Sequence, residues 1–172
     1  MTLPQAAALA LFPALVIVAA VTDIASFTIP NRLTLLLAAC YLPAAIMLGR
    51  PFGEIGLCLA IGAGALAVAA GMFAAGWIGG GDAKLFASVA LWLGWPASAV
   101  FLMVTALAGG GLALLLLNAR AAWVKPYLAG APPWLSRLTT TGEAAPYGVA
   151  IALGALAAFP QSSLLQGLHL RF

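Results

Sequence analysis

The chain has 172 residues, of which 65% are hydrophobic and 6% charged, with a mean hydropathy of +1.12. A soluble domain of this length has too little interior to bury that much apolar surface, whereas a bilayer is itself an apolar solvent. The net charge of +3 comes from basic residues scattered between apolar runs, which reads as loop charge and membrane orientation rather than nucleic-acid binding.

No lysine or arginine precedes the first apolar run, as a secretory signal would require. A retained transmembrane helix is therefore expected over 3–22, kinked at Pro13. A polar break runs from Asp23 to Asn31. Pro30 disfavours helix at Ile29, and Asn31 suits the cap of a second helix over 32–48. After a turn at Gly49–Gly53, a third helix is expected over 54–77, its glycines and alanines suited to close helix packing.

Gly79-Gly80-Gly81-Asp82 then interrupts the apolar sequence. Three glycines disfavour helix, and a carboxylate in or beside a bilayer is costly unless it faces protein or trapped water. A fourth helix over 83–95 would rise only about 20 Å against a hydrocarbon core of about 30 Å. With Trp92 and Trp95 at the far interface, Asp82 is expected below the near one. A fifth helix is expected over 97–117, where Gly109-Gly110-Gly111 suggests a close crossing or a kink. The stretch 118–145 carries Arg120, Lys125, Arg137 and Glu143 among Trp123, Tyr127 and Trp134. That pattern suits a segment lying on the membrane surface. A sixth helix is expected over 146–159.

The expected fold is all-α: a polytopic membrane protein, a single domain over 1–172 built as a bundle of six transmembrane helices. Arg32, Lys84, Arg120, Lys125 and Arg137 fall on one side, five of the seven basic residues. The positive-inside rule makes that side cytoplasmic, and Asp23 and Asp82 share it.

Only four acidic residues are present, Asp23, Glu54, Asp82 and Glu143. Cys40 and Cys58 lie apart in apolar runs, and the single histidine, His169, is in the tail. Neither metal-ligand spacing nor a Ser–His or Cys–His arrangement is available, and no metal or cofactor is expected. Asp23 closes the first helix and Asp82 opens the fourth at the same face. Two carboxylates held together share a proton. Such a pair activates water while polarising a carbonyl, which is aspartic-protease chemistry. On the residues alone, alternatives stay open. Either aspartate could cap a helix or mark a solvated loop. Membrane carboxylates beside broken helices also serve small ion-coupled transporters, and a non-catalytic subunit of a secretion or pilus assembly system would fit as well. Helix-end electrostatics add an asymmetry, favouring the carboxylate at Asp82 and disfavouring it at Asp23.

Three patches carry a family resemblance. Gly79-Gly80-Gly81-Asp82-Ala83-Lys84-Leu85, Asp23 with Ile29-Pro30-Asn31, and Pro146-Tyr147-Gly148-Val149-Ala150-Ile151 together resemble motifs of the prepilin peptidases. These are membrane aspartic proteases with a G-x-G-D motif, and the short form serving Flp- or Tad-type pili is the most similar. The resemblance implies six transmembrane helices with catalytic Asp23 and Asp82, and no cofactor. Gly79, Gly80, Gly81, Lys84, Pro30, Asn31, Tyr147 and Gly148 would line the site or give access to it. It implies a bacterial inner-membrane protein whose site faces the cytoplasm, with prepilins, pilin-like proteins, lipids and pilus assembly machinery as partners. Cleavage would remove a short basic leader after a glycine, just before the substrate's hydrophobic helix. Longer members also methylate the new N-terminus through an extra region with a cysteine tetrad; with no such region here, methylation is not expected.

A peptide bond inside a helix is shielded, so a substrate must unwind before water attacks. Gly79 to Gly81 are read as admitting that unwound backbone, which predicts that Gly81→Val lowers cleavage much more than stability. Lys84 either snorkels to headgroups or tunes the aspartates.

Overall fold

The computed structural model describes residues 2–120 and 145–169. Among these, the chain is helical with no strand. It contains α1 (Leu3–Ser26), α2 (Asn31–Met47), α3 (Phe52–Ala74), α4 (Gly80–Leu93), α5 (Ala97–Ala119) and α6 (Tyr147–Ala158). A 3-10 turn at Phe159–Gln161 leads to the short α7 (Ser163–His169). The helices α1, α3, α5 and the run Tyr147–Gln166 are each long and apolar enough to cross a membrane. Large apolar side chains such as Val21, Val68, Leu107 and Leu115 are exposed on their outer faces. Such surfaces are a liability in water and the natural exterior in hydrocarbon. The protein is an all-α, multi-pass membrane protein.

The short helix sits at the centre. Most of α4 is buried, including Ala83, Leu85 and every residue from Ala87 to Leu93, and the other five main helices all pack on it. Three cross-links set its register on α2. Lys84 Nζ donates to Asn31 Oδ1 at 2.8 Å, Ser88 Oγ to the Thr34 carbonyl at 3.1 Å, and Trp92 Nε1 to the Leu37 carbonyl at 2.7 Å. Steps of three or four residues on both helices mean that α2 and α4 run side by side in the same direction.

Trp92 is therefore no interfacial anchor. It is fully buried, and its ring packs 5.4 Å from Phe12 and 5.9 Å from Tyr41, while Phe12 stacks on Phe159 at 4.7 Å. A tryptophan whose N–H finds a carbonyl fits a core as well as an interface. Trp95, by contrast, is exposed.

Two boundaries near the candidate carboxylates differ from the sequence reading. α1 continues through Pro13 and past Asp23, ending where Phe27 adopts a left-handed conformation, φ 55°. α4 begins at Gly80, so two of the three glycines are helical. First-turn N–H groups have no partner within the helix, so a glycine there forfeits less than one in the middle. Asp82, the third residue of α4, reaches back to accept from the Gly79 N–H, as an acidic residue at that position does in a capping box. The third helix also ends early, at Ala74, with Gly76 at φ 75° in the turn beyond it.

Close crossings depend on specific glycines. A Cβ on Gly62 would stand 2.8 Å from that of Leu91, and one on Gly154 would overlap the Thr105 hydroxyl. In the α5 triplet only Gly109 is a crossing point, facing Tyr147 and Ala150, and the helix runs through all three glycines unbroken. The stretch expected to lie on the membrane surface, 118–145, falls outside the described residues except at its ends, where Asn118 and Ala119 belong to α5.

Candidate active site

Asp23 is carried on the last turns of α1 and is 4% exposed. Its backbone carbonyl accepts from Phe27, while its side chain turns to another helix. Gly148 N–H, second in α6, donates to Asp23 Oδ2 at 2.7 Å. The first amides of a helix lack internal partners and carry partial positive charge, so a buried carboxylate is well placed there. This overturns the asymmetry expected from helix ends. Asp23 ends its own helix but docks on the start of α6, as Asp82 sits at the start of α4. Both carboxylates meet positive helix ends.

The site requires glycine at 148. A Cβ would stand 2.7 Å from Asp23 Oδ2 and 3.0 Å from its Cγ. Pro146 before it is buried, and Tyr147 lies against Gly109 of α5.

Asp82 is half-buried and close enough to Asp23 to feel its charge. The two motifs that carry them are also tied directly. Gly81 packs on the link between α1 and α2: a Cβ there would stand 3.1 Å from Ile29 Cβ and 3.2 Å from the Ile29 carbonyl. One turn on, Lys84 bonds Asn31. Pro30, between them, is exposed and N-caps α2. A Cβ on Gly80 would stand 3.3 Å from the ring of Phe73, and one on Gly79 2.9 Å from the carboxylate of Asp82 itself. The Cβ directions of Gly80 and Gly81 are thus occupied within the protein. Lys84 tethers the second motif to the first.

The remaining described acidic residue is accounted for elsewhere. Glu54, in the first turn of α3, forms an ion pair with Arg50, so it is removed from the pair by the length of the bundle.

Asp82 also lines a groove of about 330 Å³ between α3 and α5, floored by α4 and α6. Gly109 of α5 is in the same wall, and the exposed apolar side chains of α5 continue beyond it to Leu117. The contacts of Gly81 with Ile29 and of Gly148 with Asp23 were not legible in the sequence. Their only signal was that each glycine sits within a motif patch.

These features define a multi-pass membrane protein that gathers two carboxylates, from its first and fourth helices, at one end of a helical bundle. The sequence pattern of the type IV leader peptidase family matches residues 10–114, and the chain belongs to that family. It is therefore a peptidase by family. The matched stretch contains both Asp23 and Asp82 and stops short of α6. No curated protein and no solved structure matches the chain.

Proposed function

We propose that this protein removes the short basic leader from prepilins and pilin-like proteins of the Flp type. It cleaves after a glycine at the cytoplasmic face of the bacterial inner membrane, with Asp23 and Asp82 as its water-activating pair. The observation that carries this reading is the convergence of the two aspartates, from motifs 59 positions apart, beside two helix N-termini. Among the described residues Arg32, Lys84 and Arg120 fall toward the same face and Arg50 toward the other, which supports the orientation.

In the reaction, one carboxylate is ionised and takes a proton from water as its oxygen attacks the scissile carbonyl carbon. The other is protonated and donates to the carbonyl oxygen. The pair has then exchanged roles: as the tetrahedral intermediate collapses, the newly protonated carboxyl gives its proton to the leaving amine, the C–N bond breaks, and the other carboxylate takes a proton from the intermediate's hydroxyl, which restores the starting state. The Gly148 N–H fixes the position of one carboxylate oxygen, and the Gly79 N–H that of the other residue. Pre-set positions are a large part of what an enzyme contributes.

The test is co-expression of a prepilin with the protein or with Asp23→Asn or Asp82→Asn. Leader removal by the wild type alone supports the reading. Processing by both variants overturns it and returns the site to ion coupling or assembly.

A further inference from the structure

We infer that the groove between α3 and α5 is the docking site for the apolar segment of the prepilin that follows the cleaved bond, entering sideways from the lipid. This rests on the leader peptidase reading. Besides Asp82, the groove is walled by Met72, Phe86, Leu102, Gly110 and Ile151, with a volume of about 330 Å³. Leu102 and Gly110 are exposed toward lipid.

Three observations select this occupant. The lining is apolar apart from Asp82, Thr105 and Tyr147, so a basic leader would lose its hydration there, whereas an apolar segment loses none. Two further grooves, between α2 and α3 and between α1 and α2, contain neither aspartate. The carboxylate also lies at one end of the groove. From Asp82 to Phe86 and from Tyr147 to Ile151, the floor descends along the first turns of α4 and α6 into the bundle. A chain whose leader stays outside and whose apolar part enters this groove therefore crosses Asp82 at the junction between the two.

The volume admits a few side chains and not a helix. The segment would thus lie along the lipid-facing mouth with side chains inserted as knobs between α3 and α5. Gly110 keeps that mouth open. A Cβ on Gly110 meets nothing within 4 Å, so the space beside it is vacant.

Gly110 and Gly111 make a matched test. Neither would bring a Cβ near another atom, leucine favours helix over glycine, and Gly111 does not line the groove. Gly110→Leu and Gly111→Leu should both fold, which thermal unfolding in detergent checks. Gly110→Leu should cleave a co-reconstituted prepilin at least tenfold more slowly, and Gly111→Leu within twofold of wild type. A photo-reactive residue at 110 in the Asp82→Asn background should cross-link to the apolar segment of the prepilin. Wild-type cleavage by folded Gly110→Leu, equal losses in both variants, or cross-links to lipid alone would each overturn the inference. Asp82→Asn in the same cleavage assay keeps the two readings separable. If it is inactive while Gly110→Leu is normal, the groove fails and the peptidase reading stands.

Discussion

The backbone N–H of Gly148 donates to Asp23 Oδ2 at 2.7 Å, joining the end of the first helix to the start of the sixth across 125 residues. The bond exists because residue 148 has no side chain. In Gly148→Ala a methyl group would press on the carboxylate at 2.7–3.0 Å, and α6 and Asp23 must part. Overpacking of this kind costs about 1–3 kcal/mol. Displacement of a reacting group by an ångström costs on the order of a hundredfold in rate. Gly148→Ala should therefore unfold at a lower temperature in detergent and process prepilin at least about tenfold more slowly. Processing at the wild-type rate would mean that α6 does not position Asp23.

Gly81 leads to a different expectation from the one its motif suggests. A valine there meets the Ile29 backbone and side chain at 3.1–3.4 Å, so it strains the contact between the two aspartate motifs. Stability and cleavage should fall together, stability by about 1–3 kcal/mol. Thermal unfolding beside a cleavage assay checks this. A variant that is inactive yet as stable as wild type would favour the substrate-access role read from the sequence.

Lys84 bonds Asn31 at 2.8 Å on an exposed face. Exposed polar pairs contribute below about 1 kcal/mol. Lys84→Met keeps the length of the side chain and removes the charge, so it should shift unfolding by a few degrees at most and slow cleavage less than about tenfold. A loss as large as that of an aspartate variant would place Lys84 among the reacting groups.

Trp92 tests the bundle independently of the chemistry. Trp92→Phe keeps an aromatic ring in the core and removes the 2.7 Å bond to the Leu37 carbonyl. The lost bond contributes about 1 kcal/mol, with some added cost from the smaller ring. The unfolding temperature should drop while the folded fraction cleaves normally. An unchanged temperature would contradict the assigned role of the α2–α4 cross-link.

The membrane class, the order of the six main helices and the placement of Asp23 and Asp82 near each other were legible because each has a one-dimensional signature. Long apolar runs imply spans, and a carboxylate among them is conspicuous. Helix ends were less legible. Asp23 and the glycines before Asp82 look like breaks, yet Asp23, Gly80 and Gly81 are helical, because unpaired amides at a helix start tolerate glycine and α1 ends at Phe27 instead. Trp92 was misplaced because its residue type suits both an interface and a core, and only the facing Leu37 carbonyl decides between them. The partners of Gly80, Gly81 and Gly148 lie on other helices or on the link between α1 and α2, so no local pattern encodes them.

The central claim is that Asp23 and Asp82 act as one unit. Its most direct test is the rate of leader release by purified protein in lipid vesicles for wild type, Asp23→Asn, Asp82→Asn and the double variant. Each single variant should lose at least about a hundredfold. The double variant should be no slower than the slower single one, because the parts of a unit do not contribute additively. Near-wild-type release by either single variant would contradict the claim.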